Sequence, residues 1–259
     1  MRVAHNRNIM PSLRTADLAG PLSGLRCHVA ALLLATVSLT PVATWAARPM
    51  VTDDARLTDA GACQVETWFR FNRSSTEYWA LPACNPGGNL EITLGGAFAD
   101  SRGVYHADTV TQVKTLFKPL EVDGWGYGFA IGRARHIGAG VEDTSNVQRY
   151  FYLPISRSLL GDRLVIHTNI GATEPSGAER LRGIGGVGAE WDITGSGRTW
   201  LMGEVFDHQA GKPFFQIGVR RWLVPGHVQM DATYGDRFDD GTALRWFTIG
   251  LRLISNPLF

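Results

Sequence analysis

The residues able to do chemistry in this chain are few and scattered. Cys63 and Cys84 stand 21 residues apart. Two thiols without clustered histidine fall short of a zinc set, so their expected chemistry is oxidation to one disulfide if the compartment is oxidising. His106, His136, His167, His208 and His227 are each isolated in sequence. His136 and His208 fall near loops, but no spacing gathers ligands, so neither a metal nor another cofactor is expected. Ser156 and Ser158 are candidate nucleophiles for a lipid-modifying hydrolase, which needs a histidine beside a serine on one rim. No histidine is near them in sequence, so no catalytic residue and no enzymatic activity is expected. Residues 183–188, GIGGVG, have the glycine content of a nucleotide loop but lie inside an alternating stretch with no helix after it.

The elements that must position these residues follow from composition and order. The chain has 259 residues, 25 Lys plus Arg against 24 Asp plus Glu and a formal net charge of +1. Near neutrality gives no reason for a polyanionic partner, so no nucleic acid is expected. Thirty Gly, 8 Trp, 6 Tyr and 12 Phe with only 19% charged residues exclude disordered, collagenous and coiled-coil chains. Arg2, Arg7, Arg14 and Arg26 face the single acid Asp17, then 29–42 is apolar, and Thr44-Trp45-Ala46 supplies small residues at the right places. This order reads as a signal peptide over 1–46, with Met1 or Met10 as the start. Export puts Cys63 and Cys84 in an oxidising compartment, while Cys27 leaves with the signal.

From Cys63 onward the chain breaks into runs of about ten residues, the length that a tilted strand needs to cross a bilayer. Twelve runs are read: 63–72, 76–84, 89–99, 107–118, 124–135, 148–158, 163–173, 181–193, 199–208, 213–223, 227–236 and 244–254. Several alternate cleanly. Trp125, Tyr127, Phe129 and Ile131 share one face against Gly126, Gly128, Ala130 and Gly132, and Phe247, Ile249, Leu251 and Leu253 face away from Trp246, Thr248, Gly250 and Arg252. Alternation alone fits a soluble periplasmic β-sandwich as well as a membrane barrel. Loop lengths separate the two. Connections at one end (85–88, 119–123, 159–162, 194–198, 224–226) are short, whereas several at the other (100–106, 136–147, 174–180, 209–212, 237–243) are longer and rich in Gly, Asp and Ser, the habit of outer-membrane barrels. Trp125, Trp200, Trp222, Trp246, Tyr150 and Tyr234 fall near run ends, where interfacial girdles lie. The expected fold is therefore all-β: an antiparallel transmembrane β-barrel of about twelve strands over 63–259, in the outer membrane of a Gram-negative-type cell. Outer-membrane lipid is its expected partner, and a C-terminal strand ending in Phe259 resembles the signal that the barrel-assembly machinery reads, although Pro257 interrupts its alternation.

On the inward faces this assignment places Glu66, Arg70, Glu91, His167, Glu190, Asp192, Arg220, Asp231, Arg245 and Arg252. Both signs occur, which reads as a paired lumen filling more than as a catalytic centre, because unpaired charges there are costly. A selectivity-setting pore is the other use of such a set. The glycine-rich inward faces of 125–136 and of 183–188 leave room for something to approach the wall. The polar, aperiodic segment 47–62, which carries Arg48, Asp53, Asp54 and Arg56, is the candidate plug.

The stretch Arg48-Pro49-Met50-Val51-Thr52-Asp53-Asp54-Ala55, followed by Cys63-Gln64-Val65-Glu66, resembles the opening of the meta-pathway phenol-degradation family of transporter-like outer-membrane proteins. The resemblance rests on an R/H-P-x-x-T-D-D motif, here Arg48, Pro49, Thr52, Asp53 and Asp54, ahead of a Q-x-E first strand. It covers about 20 residues. It implies a signal-bearing outer-membrane barrel acting as a channel or transport-associated protein for small hydrophobic or aromatic solutes, and it brings no catalytic residues. A closed structural or adhesion barrel is the competing reading, and a lipid hydrolase a third.

Strand register supplies a test. If the first two strands form a tight hairpin about Arg73 and Ser74, Cys63 faces Cys84, Trp68 faces Trp79 and Phe69 faces Tyr78, the last two being the aromatic cross-strand pairs that stabilise neighbouring strands. Closing this loop stabilises by on the order of 3 kcal/mol through the unfolded chain. Alkylation of the purified protein without reductant should leave both cysteines unmodified by mass spectrometry; two alkylated thiols would refute the pairing.

Overall fold

The computed structural model describes residues 50–138, 147–174, 180–207, 212–238 and 244–259. The signal peptide read over 1–46, Arg48, Pro49 and His208 lie outside the described residues, as do most of the longer connections expected at the outer end.

Twelve strands form: β1 (Cys63–Asn72), β2 (Thr76–Cys84), β3 (Glu91–Ser101), β4 (Val104–Lys118), β5 (Trp125–Gly138), β6 (Val147–Leu159), β7 (Leu164–Glu174), β8 (Arg182–Asp192), β9 (Thr199–Asp207), β10 (Phe214–Val224), β11 (Val228–Arg237) and β12 (Trp246–Ile254). Each pairs antiparallel with its sequence neighbours, and β1 closes on β12 from Gln64↔Ile254 to Asn72↔Trp246. Every strand therefore has two partners, so no edge is left unsatisfied. The β1–β2 register pairs Cys63 with Cys84, Trp68 with Trp79 and Phe69 with Tyr78, and the two cysteines are joined in a disulfide.

One connection differs from the expected pattern. In place of an open loop over 100–106, β3 and β4 extend until Ser101 pairs with Val104. Arg102 and Gly103 make the turn with φ of 55° and 86°. Two consecutive left-handed residues are the signature of a type I′ hairpin, whose twist matches the strands and lets the ladder run on.

Alternate residues sort onto two walls. Outward rows such as Phe247, Ile249, Leu251 and Leu253 on β12, Phe151 and Leu153 on β6, and Phe98 and Leu94 on β3 are apolar and exposed. Apolar exposure this continuous is untenable in water and natural against lipid. The inward rows carry the buried polar side chains Glu91, Lys114, His167, Glu190, Glu204, Arg220 and Asp231. The chain is thus an outer-membrane-type β-barrel, not a sandwich. Among the described residues no helix is long and apolar enough to cross a membrane.

The aromatic residues divide by the same parity. Trp125 and Tyr234 stand exposed on the outer wall, where interfacial residues belong. Trp246 and Tyr150 do not join a girdle: both are buried and point inward. Trp200 and Trp222 lie on the inward rows of β9 and β10, partly buried near the inner end. Proximity to a strand end suggests the interface for all of these, but parity decides which wall a ring occupies.

On β6, Arg149 and Arg157 bracket the outward residues Phe151, Leu153 and Ile155, with the Arg157 guanidinium over the Trp125 ring at 5.2 Å. Eight residues of tilted strand rise about 20 Å, most of the roughly 25 Å apolar band of such barrels. Leu153 therefore sits near mid-bilayer. Leu153→Arg should lower stability by about 2–4 kcal/mol in urea titrations of vesicle-reconstituted protein; a loss near zero would contradict this placement of the band.

Candidate functional site

Residues 50–62 run inside the barrel, so the site is built from the wall toward this segment. Glu204 on β9 receives the backbone N–H of Val51 (2.7 Å, Oε1) and of Thr52 (2.7 Å, Oε2), a carboxylate fork for two successive amides. Ser156 Oγ on β6 accepts from the Ala55 N–H at 2.9 Å. Nearer the inner end, Glu91 Oε2 accepts from both the N–H (2.9 Å) and the hydroxyl (2.6 Å) of Thr58, while Asn85 Nδ2 donates to the Thr58 carbonyl at 2.6 Å. Between these anchors Asp53 accepts from Lys114 Nζ at 2.8 Å and from the Tyr152 hydroxyl at 2.7 Å. Asn169 bridges the Asp53 backbone, its Oδ1 accepting from the N–H (2.7 Å) and its Nδ2 donating to the carbonyl (2.9 Å). Lys114 also reaches Asp54 at 3.5 Å, and Arg56 reaches Asp162 in the turn after β6 at 3.3 Å.

The two adjacent carboxyls titrate in opposite directions. Burial pushes Asp53 above the ordinary carboxylate range despite Lys114. Burial also acts on Asp54, but the positive charges of Lys114 and Arg56 outweigh it and hold that carboxyl below the range. Lys114 lowers both carboxyls; the split arises because Asp54 also feels Arg56, whereas Asp53 is raised further by the Asp54 charge.

The glycines explain how the segment fits. A Cβ at Gly188 would stand 2.1 Å from Met50 Cε, and one at Gly186 would stand 2.5 Å from Thr52 Oγ1. Only these two of the GIGGVG glycines face the segment. On β5 the bare inward face serves another purpose, since a Cβ at Gly132 would meet the Tyr150 ring at 2.5 Å. The β5 glycines make room for wall side chains, not for the plug.

The expected lumen residues distribute unevenly. Glu190 and Arg220 form a buried ion pair. Arg252 donates to Gln64 at 2.7 Å and approaches Glu66 at 3.6 Å. Arg70 lies over the Trp246 ring at 4.3 Å, and Asp231 is buried opposite Arg220 in the β10–β11 register. One placement is corrected. Arg245 is exposed and precedes β12, on the parity of Phe247 and Ile249, so it is not a lumen residue. Asp192, at the inner end of β8, keeps the buried inward parity of Glu190 and also caps a turn: its carboxylate accepts from the N–H groups of Thr194 (3.1 Å), Gly195 (3.0 Å) and Gly197 (2.7 Å).

His167 is brought to Ser156 after all. The two are cross-strand partners on β6 and β7, with Ser156 Oγ 2.8 Å from His167 Nδ1. Sequence distance hid the pair because they sit on adjacent strands with summed register. Both are sealed inside the barrel at 0% and 1% exposure, beneath Ala55, and His167 Nε2 has no hydrogen-bond partner. His167 borders a cavity of about 60 Å³, shared with Asp54, Glu66, Glu190, Arg220 and Arg252, a space for a few waters. Among the described residues no group of three or more His, Cys, Asp or Glu is arranged to hold a metal.

Toward the outer end the lumen wall is aromatic. Trp68 and Trp79 stack at 5.4 Å between centroids, and Phe206 and Phe214 stack at 5.6 Å, with Trp246 tilted against both. Glu204 and Lys114, the strongest holders of the segment, escaped the sequence reading although alternation marks them: Met202, Glu204 and Phe206 share one face of β9, and Gln112, Lys114 and Leu116 one face of β4.

Residues 33–254 match the family described as uncharacterised conserved protein UCP029691. The chain belongs to that family. No curated protein matches it in sequence. Among solved structures the barrel of this family member is similar to the KdgM porin in complex with disordered oligogalacturonate, with a TM-score of 0.55 at 8% identity, covering 73% of this chain and 98% of that one. A second KdgM porin structure gives 0.51 at 9% identity, again covering 73% and 98%. At such identities the likeness shows the fold.

The Glu204 fork yields a direct test. A Thr52→Cys variant should resist maleimide in the folded barrel. Adding Glu204→Ala removes two charge-assisted hydrogen bonds, each worth about 1.5–3 kcal/mol, and should raise the labelling rate by about tenfold or more. An unchanged rate would mean that the other anchors alone hold the segment.

Proposed function

We propose that this barrel is a transport-associated channel of the outer membrane, exported with cleavage after Ala46, whose resting lumen is stopped by its own N-terminal segment. The observation that carries this reading is how the segment is held. The N–H groups of Val51, Thr52, Ala55 and Thr58 all go to side chains on the barrel wall, so residues up to Thr58 can leave without breaking a ladder hydrogen bond, while Gly61 and Ala62 stay tied to Asn85 through the backbone. Small hydrophobic or aromatic compounds are the proposed solutes. Two features support them: the resemblance of the opening motif, including Thr52, Asp53 and Asp54, and the inward aromatic layer of Phe206, Phe214 and Trp246 with Arg70 across the Trp246 face. Ser156 and His167 are assigned a structural role beneath the segment, with no access to lipid, and no catalysis is proposed. Lipid contact along the outward rows and recognition of Phe259 by the assembly machinery belong to the same reading.

A closed structural barrel is the second reading, favoured by the pairing of Arg220 with Glu190 and of Arg252 with Glu66. Planar-bilayer recordings separate the two. The native barrel should be silent, and deletion of 47–57, which spares Thr58 and its Glu91 anchor, should produce discrete conductance steps. Silence from a deletion variant that retains native heat-modifiable migration would refute the channel and leave the closed barrel.

A further inference from the structure

The outer wall carries a feature that the lumen does not explain. A groove of about 340 Å³ lies on the lipid-facing side, beside the middle of β4 and β5 and the outer ends of β6 and β7, walled by Val113, Ile131, Phe151 and Leu181, with Arg133 and Arg149 at its side. Small outward residues open it. Ala172 lines it on β7, and its cross-strand partner Gly183 on β8 brings no side chain toward it.

The charge pattern beside the groove is unusual for a sheet surface. Arg133 and Arg149 are direct cross-strand partners, and like charges placed opposite each other destabilise a pair of strands. Glu174 neutralises only one of them, meeting Arg149 at 2.9 Å. Arg133 has no acidic partner among the described residues. Arg149 is eight residues above Arg157 on β6, so the pair stands about 20 Å above the inner interface, close to the outer edge of the apolar band. Two adjacent guanidiniums at that level, above an apolar groove, match an anionic headgroup carrying acyl chains. A phosphate accepts from both planar forks at once, and it removes the repulsion that the strand register imposes.

We propose that this groove binds a phosphorylated glycolipid of the outer leaflet, with one acyl chain along Val113, Ile131, Phe151 and Leu181 and a phosphate bridging Arg133 and Arg149. The site is independent of whether the lumen opens.

Native mass spectrometry of the detergent-purified full chain, titrated with diphosphoryl lipid A, tests this. One lipid A should be retained per barrel, with diacylglycerol, phosphatidylethanolamine and inorganic phosphate each about tenfold weaker or worse. The double variant Arg133→Gln, Arg149→Gln should lose about tenfold in lipid A retention. Equal binding of diacylglycerol would reduce the site to an apolar groove, equal binding of phosphatidylethanolamine would remove the glycolipid preference, and equal binding of inorganic phosphate would reduce it to an anion patch. Undiminished retention by the double variant would place the lipid elsewhere. Any of these overturns the proposal. If the double variant fails to fold, Arg133→Gln alone leaves the Arg149–Glu174 pair intact and should still weaken lipid A, and the comparison of the four ligands on the native barrel decides by itself.

Discussion

Closure of the sheet is the constraint on which the rest depends. In lipid a backbone amide has no water to turn to, so each strand must be paired on both sides. The β1–β12 register satisfies the last two free edges. Once the ladder is closed, the side-chain period of two leaves no freedom: each residue faces lipid or lumen, and a slip of one residue would exchange the walls. The disulfide between Cys63 and Cys84 lies at the start of that ladder, where β1 leaves the inner segment and pairs with β2. It fixes the register at the point from which the other pairings are counted.

The lumen obeys a second accounting. A polypeptide segment threaded through a barrel brings amides that must find acceptors, since the wall's own backbone groups are already used. The wall meets this with side chains: Glu204 and Glu91 each receive two groups from the segment, and Ser156 receives one. Carboxylates suit this role because each offers two acceptor oxygens and strengthens the bonds it accepts. Burying them is costly unless positive charge is near. Lys114, set between Asp53, Asp54 and Glu91, supplies it on one side of the segment. Removing Lys114 would leave several buried acids facing one another, so it binds the network more tightly than its single ion-pair distances suggest.

Much of the barrel was legible in the sequence, and the reason is periodicity. Strand length, alternation and turn chemistry are local, and the twelve runs correspond one to one with β1–β12. The hairpin arithmetic that paired Cys63 with Cys84 required only a tight turn at Arg73 and Ser74. What escaped depends on distance across the lumen or on parity within it. Trp246 and Tyr150 lie near the ends of their runs, which suggests the interface, though their parity is inward. An inward Arg245 runs against the alternation of its own strand. Ser156 and His167 could be matched only through the β6–β7 register, which a tight turn at 160–163 sets. Glu204 was readable by alternation but had no known counterpart to suggest a role, because the amides it receives come from Val51 and Thr52, about 150 positions away.

β8 shows how much one strand can be asked to do. Its GIGGVG stretch resembles a loop for phosphates, yet parity divides it between two solvents. Gly186 and Gly188 face inward, where a Cβ would crowd Thr52 Oγ1 and the end of the Met50 side chain, so glycine there makes room for the plug. Gly183 and Gly185 face outward, where nothing crowds Gly183 and the absence of side chains opens the wall beside Ala172 and Leu181. A glycine-rich strand packs poorly and contributes little apolar burial of its own. Its tolerance here follows from closure: the ladder to β7 and β9 holds β8 in place whatever its side chains do. The barrel can thus thin one strand to let a chain approach from within and leave a groove without.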